Sequence, residues 1–481
     1  MVNDAALAQA MPPSPRRRSR SPAVLVVGFL LACGVAVTLA GVAAAETGDA
    51  GGPLDLTSVA LEQRDVRLSL RLSTSSGAWT AADLAEPGRD VCVTLHQGQP
   101  AVPRSRVCVT RRGSAPALSY TSLAPDGSQG VTRALPADVS RPRAALLEAT
   151  FLPAAAGLSV GRFAWSAETS WTDDAACASG CADRLPDSGT VDGELGLVGL
   201  PPCFGAAARD PARPCENPAL RLTVEPSLDR VREILSSFCD KRPHRELLKI
   251  CLFGAQGKEA QGRFAVVGDS HAAGLKTALH VLTLARRWRG ISIVRAGCPA
   301  TRARPLLPTR ARSRDCARWN HQLLRWLADR RDLDAVFLSA HSTARVSAAP
   351  GRDMFESARA GYREEIRLLL RRARQVVVIR DLPASPRGHL RCVADALRSG
   401  QPPGPACGQP RAAAVRPDPL AAAARDIGSS RVRVIDLTNH VCDAQRCFDV
   451  VGGALVHRDT THLTPAFSAS LGPYIVRALG G

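Results

Sequence analysis

The chain has 481 residues, 45% of them hydrophobic, which is more than one ordinary domain and enough to bury real cores, so two globular units and a terminal extension are expected. Its formal charge of +18 comes almost wholly from arginine and suits either a polyanion partner, such as an acidic envelope polymer, or a coding bias toward Arg and Ala. Nucleic acid is argued against: there is no helix-turn-helix, zinc-finger or RNP pattern, and aromatic residues make up only 4% of the chain.

Residues 1–22 are polar and Pro-rich and end in Arg16-Arg17-Arg18-Ser19-Arg20, a basic cytoplasmic tail. Residues 23–45 follow without a charge, long enough to span a bilayer. Arginines before the run and none soon after it place the N-terminus in the cytoplasm and the rest outside. Two readings compete, a retained signal anchor and a signal peptide cut near Ala43-Ala44-Ala45, and the length of the run favours the anchor. Leu30-Leu31-Ala32-Cys33 has the look of a lipoprotein cleavage site, but the apolar run continues well past Cys33. The expected location is the cell membrane, single-pass, with the C-terminal domains outside, or secreted if the signal is cleaved.

One of the 15 cysteines, Cys33, lies inside this run. The even number beyond it argues for disulfides in an oxidising space. Their spacing in close neighbours predicts Cys92–Cys108, Cys177–Cys181, Cys203–Cys215, Cys239–Cys251, Cys298–Cys316, Cys392–Cys407 and Cys442–Cys447. No Cys-x2-Cys pair occurs to favour zinc.

Residues 52–195 read as a β-rich, sandwich-like accessory domain. Val66–Leu72 alternates apolar with polar, and Val91–Leu95 and Arg106–Thr110 form two strands around turn residues Gln97-Gly98-Gln99-Pro100, so the first cysteine pair would staple a hairpin. Gly161–Ala167 adds another strand. No catalytic set assembles here, and a structural spacer or glycan-binding role is expected.

Residues 200–481 alternate strand and helix. Strands are expected at 264–267, 291–294, 335–338, 376–379 and 432–435, with helices at 271–288, 314–328, 355–373, 419–427 and 465–479. This is the pattern of a parallel sheet covered by helices on both faces, whose sites gather at the C-terminal ends of the strands. Ser270, in Gly268-Asp269-Ser270-His271, stands at such an end, where backbone N–H groups and the helix dipole would stabilise an oxyanion. Read alone, the stretch suits a helix cap better, the commoner role of Asp and Ser at a strand-to-helix turn. Asp459 and His462, three apart before a helix that Thr464 can cap and Pro465 can open, supply the carboxylate and the base a serine nucleophile needs. Alone they would read as a surface turn. A metal site on His457, Asp459 and His462 has no further ligands nearby, and neither metal nor cofactor is expected.

Gly268-Asp269-Ser270-His271-Ala272 with Asp459-Thr460-Thr461-His462-Leu463 resembles the SGNH (GDSL-like) hydrolase family, and most closely the SGNH domains fused to acyltransferase-3 membrane proteins. Cys203-Phe204-Gly205-Ala206-Ala207 with Cys215, Gly297-Cys298-Pro299, Asp381-Leu382-Pro383, and Asp436-Leu437 before Cys442 and Cys447 extend the likeness over about residues 200–481. It does not reach 52–195, and one apolar span stands in place of an acyltransferase membrane bundle. The resemblance implies an SGNH-type three-layer α/β/α sandwich with a parallel sheet. It implies Ser270 as nucleophile, His462 as general base and acid, Asp459 as its orienting partner, and the N–H groups of Ser270 and Gly297 as oxyanion donors. The family's usual third donor is an Asn after the third strand, but this chain reads Ser339-Ala340-His341-Ser342-Thr343, leaving His341 as a candidate N–H donor. An α/β-hydrolase elbow is excluded, because Ala272 stands where Gly-x-Ser-x-Gly needs its last glycine.

The expected function is an exported serine esterase or O-acyltransferase that forms an acyl-enzyme on Ser270 and acts on acyl, chiefly O-acetyl, esters of an envelope polysaccharide or peptidoglycan-type substrate. The alternative is a catalytically silent, glycan-binding or scaffold protein of the same fold. Residues 286–331 hold thirteen arginines against two acidic residues, which suits an anionic polymer or a solvated basic face. Oligomeric state is not legible.

Overall fold

The computed structural model describes residues 44–45, 50–64, 66–98, 101–172, 177, 181–196, 198–229, 231, 240–243, 247–255, 257–330 and 332–480, all within one unit spanning 37–481. Residues 1–22 and most of the apolar run 23–45 lie outside the described residues. The end of that run, Ala44–Ala45, pairs antiparallel with Ser58 and Val59. No helix among the described residues is long and apolar enough to cross a membrane.

The period-2 alternation of the N-terminal region becomes two antiparallel sheets. One contains Leu56–Arg64, Arg67–Thr74, Ala137–Arg143 and Leu146–Phe151; the other is built around Asp90–Gln97, Val102–Arg112 and Gly161–Trp171. Leu68, Leu70, Leu72 and Leu147 of the first meet Val93, Leu95, Val107 and Trp165 of the second in one apolar cluster, as expected when each strand buries one side. Cys92 and Cys108 stand directly opposite each other in their hairpin and are bonded.

The C-terminal sheet comprises β1 (Asp240–Pro243), β2 (Lys249–Gly254), β3 (Gly262–Gly268), β4 (Trp288–Val294), β5 (Leu333–Ser339), β6 (Ala373–Ile379) and β7 (Val432–Ile435). Its order is β1-β2-β4-β3-β5-β6-β7. Among the described residues the α-helices of five or more residues are α1 (Ser270–Gly274), α2 (Lys276–Arg286), α3 (Arg310–Ala328), α4 (Met354–Leu369), α5 (His389–Arg398), α6 (Pro419–Arg425) and α7 (Pro465–Ala478). The expected all-parallel sheet is corrected to a mixed one. β4, β3, β5, β6 and β7 are parallel, but β1 and β2 form an antiparallel edge. The physical reason is loop length: neighbours β1 and β2 are joined by a connection too short for a parallel crossover, and the short β2–β3 connection returns the chain at the same end of the sheet on the far side of β4, so β2 runs opposite to both β3 and β4.

Because both faces of the central strands are covered, their sequences are continuously apolar, and alternate residues serve opposite layers. Phe264, Val266 and Phe337 face α2 and α7, in a cluster continuous with the core of the β-rich region. Ala265, Val267, Val336 and Leu338 face Trp319 and Leu323 of α3 and Tyr362 and Ile366 of α4.

The helix expected at 271–288 is in fact two. Ser468 of α7 donates its hydroxyl to Gly274 O at 2.7 Å and accepts the Ala278 N–H at 3.2 Å, so it stands between a carbonyl and the amide four residues on. A side chain inserted into the hydrogen-bond ladder breaks a helix at that turn. α7 is thereby fastened to the helix that follows the Gly-Asp-Ser turn. Ser468→Ala would orphan both backbone groups and lower stability by about 1–3 kcal/mol, read from the urea midpoint of the full chain.

Candidate active site

β3 ends at Gly268, whose φ of +145° and whose packing admit no side chain: a Cβ there would stand 2.0 Å from Ser339 O. Asp269, only 2% exposed, caps α1. Its Oδ1 accepts the His271 N–H and its Oδ2 accepts the His341 N–H, each at 2.9 Å. One buried carboxylate thus shapes the turn and ties it to the loop after β5. Ser270 follows as the first residue of α1.

Ser270 Oγ lies 2.8 Å from His462 Nε2, and His462 Nδ1 lies 2.8 Å from Asp459 Oδ2. Asp459 Oδ1 also accepts the N–H groups of Thr461 and His462, at 2.9 and 2.8 Å. Partial burial acts against the Asp459 charge, but these N–H groups and the His462 ring outweigh it and hold the carboxyl below its usual range. The turn is closed by a bridge between His457 and Leu463 and by Arg458 N–H to His462 O at 2.9 Å, and it leads into α7, capped by Thr464 with Pro465 in the first turn. His457 is buried, with Nδ1 3.0 Å from Ser385 Oγ. Burial, then the neighbouring His389 and His271 charges, lower its pKa to about 3, so it is neutral. Among the described residues no group of three or more His, Cys, Asp or Glu is placed to hold a metal.

A second histidine–carboxylate pair, which sequence reasoning missed, lies beside the first. His271 Nδ1 is 2.7 Å from Asp381 Oδ1, with side chains only 8% and 7% exposed. Asp381 Oδ2 accepts the Ser342 N–H at 2.7 Å, and the Asp381 N–H reaches Asp418 Oδ2 at 2.9 Å. Asp418 in turn caps α6. The His271 ring stacks on His341, centroids 4.4 Å apart, and lies 5.3 Å from the His462 ring. Burial opposes the His271 charge, yet Asp381, then Asp269 and Asp459, raise its pKa above the ordinary value. Burial and then the His271 charge push His341 the other way, so the two stacked rings are shifted in opposite directions. The available signal was Asp381-Leu382-Pro383 immediately past a parallel strand, where site residues gather.

On the opposite side of Ser270, the loop after β4 carries Gly297 at φ +67°, with open space where a side chain would be. Arg295 N–H to Gly268 O and Cys298 N–H to Arg295 O, each 3.0 Å, fix this loop against the Gly268-Asp269-Ser270 turn. The Cys298–Cys316 disulfide ties it to α3, where Asn320 accepts the Thr301 N–H and donates to Pro299 O. Among the described residues the N–H groups of Ser270 and Gly297 have no protein acceptor. The backbone N–H of His341, the other expected oxyanion donor, is directed to Asp269 Oδ2 at 2.9 Å.

Residues 238–477 match the model of the SGNH domain (fused to AT3 domains). This part of the chain is an SGNH domain. No curated protein matches the chain. Among solved structures, the periplasmic domain of the Salmonella ser. Paratyphi A lipopolysaccharide acetyltransferase is similar at 13% identity, over 47% of this chain and 85% of that one, with a TM-score of 0.37.

Within the SGNH domain the structure bonds Cys298–Cys316, Cys392–Cys407 and Cys442–Cys447; Cys203–Cys215 precedes it, and Cys92–Cys108 and Cys177–Cys181 belong to the β-rich region. Cys251 is also disulfide-bonded, while Cys239, its expected partner, lies outside the described residues.

The His271–Asp381 pair makes the stability of the SGNH domain depend on pH. With the folded His271 value raised, its contribution is full below about pH 6.5 and is lost as pH rises through the raised value. Burial resists the Asp381 charge but His271 outweighs it and lowers its value, so that contribution is present above about pH 3.9 and lost as pH falls through the lowered value. Asp381→Asn is expected to cost about 3 kcal/mol, with the urea-midpoint gap to wild type widest between about pH 4 and 6.5 and narrower at pH values above the raised His271 value.

Proposed function

We propose that this chain is an exported serine esterase or O-acyltransferase that acts on acyl, chiefly O-acetyl, esters of cell-envelope glycans through an acyl-enzyme on Ser270. The observation that carries this reading is the continuous relay Ser270 Oγ–His462 Nε2–His462 Nδ1–Asp459 at 2.8 Å for each step. Such a relay removes the hydroxyl proton as Oγ attacks an ester carbonyl. In the proposed reaction the Oγ–carbon bond forms, His462 Nε2 takes the proton, and Asp459 faces the resulting imidazolium. The tetrahedral oxyanion is met by the Ser270 and Gly297 N–H groups. Collapse breaks the bond to the alcohol, which leaves with the proton from His462. Water or a sugar hydroxyl then attacks the acyl-enzyme, with His462 as base, and Ser270 is released. The bonded cysteines support an oxidising compartment, and the basic tail with the apolar run at 23–45 supports a membrane anchor.

The second reading, a silent glycan-binding or scaffold protein, draws on one observation: a histidine whose N–H is committed to Asp269 stands where the family's Asn donor is usual. Reaction with a fluorophosphonate probe separates the two. The proposed enzyme labels at Ser270; a folded chain that does not label is the scaffold.

Turnover of p-nitrophenyl acetate should fall at least about 10³-fold in Ser270→Ala and about 10²- to 10⁴-fold in Asp459→Asn. Equal rates in wild type and Ser270→Ala would sink the serine mechanism. His341→Ala keeps its backbone N–H on Asp269, so its kcat should drop well short of the 10²- to 10³-fold that loss of a side-chain oxyanion donor costs.

A further inference from the structure

Where the β-rich region meets the edge of the SGNH sheet there is a cavity of about 730 Å³. Arg111, Arg112 and Arg133 line it from the β-rich side and Phe253 and Arg289 from β2 and β4, and the one carboxylate on its wall is Asp138. Arg111, Arg112 and Arg133 form no ion pair among the described residues. A second cavity of about 300 Å³ is lined by Arg104, Arg162 and Arg287. Between the two, Tyr120 of the β-rich region donates its hydroxyl to Glu259 at 2.6 Å, with Arg133 of the first cavity and Arg287 of the second both close enough to act on the phenol. The arginines therefore occupy one seam, joined by a direct contact across it.

Arg162 of the second cavity is paired with exposed Asp192 at 3.5 Å, so the site is centred on Arg111, Arg112 and Arg133: guanidinium groups gathered in a concave site match carboxylate and phosphate oxygens, which they bind through paired N–H donors. The larger cavity has the volume of a small-ligand site. Its position separates it from Ser270. Gly254 pairs with Arg289, Arg289 pairs with Arg263, and Arg263 precedes Gly268 by five residues along β3. At about 3.3 Å per residue the seam lies roughly 16 Å from the catalytic end of the strands.

We propose that this seam is a binding site for an anionic polysaccharide, one bearing carboxylate or phosphate groups, separate from the Ser270 site. A polymer long enough to cover both ends of the sheet is held here while another part of it occupies the Ser270 site. A monosaccharide cannot bridge that distance. Binding at the seam stands independently of whether Ser270 reacts.

The test measures binding of the full chain to polygalacturonate, dextran phosphate, neutral dextran and phosphatidylglycerol vesicles at about 0.15 M salt. It compares wild type, Arg111→Ala/Arg112→Ala, and a control of equal charge loss on the exposed face of α3, Arg310→Ala/Arg314→Ala. One or both anionic polymers should bind wild type, and the polymer that binds names the anion. The seam variant should weaken that binding about tenfold or more, and the control by less than about twofold. Turnover of p-nitrophenyl acetate should stay at the wild-type level in both variants. Three results overturn the proposal: equal weakening in seam and control variants, equal binding of dextran, or binding of the vesicles with neither polymer bound. Loss of turnover only in Ser270→Ala, or its absence in wild type, reports on the acyl-transfer reading alone.

Discussion

The buried carboxylate of Asp269 is the constraint on which the site depends. It accepts one N–H from its own helix start and one from the loop after β5, so the Gly268-Asp269-Ser270 turn and the neighbouring loop are held by the same two oxygens. A charge this deeply buried is tolerated only when hydrogen bonds replace its lost water. Beside it, the Gly268 backbone has a conformation and a packing against Ser339 O that exclude a Cβ. Ser270 is therefore displayed by a turn that has little freedom to move.

The remaining loops at this end of the sheet are fastened in the same way, by polar groups that find backbone partners. Asp381 binds His271 and the Ser342 N–H, and Asp418 binds the Asp381 N–H while capping α6. Ser385 N–H reaches Thr460 O, and His457 sits behind the Asp459–His462 turn on the Ser385 hydroxyl. The loop carrying Gly297 is fixed by Asn320 and the Cys298–Cys316 bond. Preorganisation of this kind is what lets a hydroxyl, a base and N–H donors act without reorganising at the moment of reaction. Ser468 extends the scheme beneath the site, because α7, which follows the Asp459–His462 turn, is bonded to the helix that follows Ser270.

The β-rich region does not touch this chemistry. Its apolar core runs into the α2 and α7 face of the SGNH sheet, and the edge it meets is antiparallel. The seam between them thus lies at the end of the sheet away from Ser270, and Arg111, Arg112 and Arg133 line its cavity.

Local sequence determined much of this architecture. Continuous apolar runs announced the central strands, period-2 alternation the sheets of the N-terminal region, and cysteine spacing the close disulfides, because each is set by side-chain period or by short loops. Gly268-Asp269-Ser270 and Asp459-x-x-His462 were legible as two motifs of complementary residue types, and the structure places their side chains within hydrogen-bond distance. Only the tertiary structure decided the rest. The antiparallel edge, the Ser468 insertion that divides the expected long helix, the His271–Asp381 pair and the commitment of the His341 N–H to Asp269 all join residues distant in the chain. No local pattern encodes such partners: they depend on which loops the sheet order brings together, and on buried polar groups taking whichever donor then lies within reach.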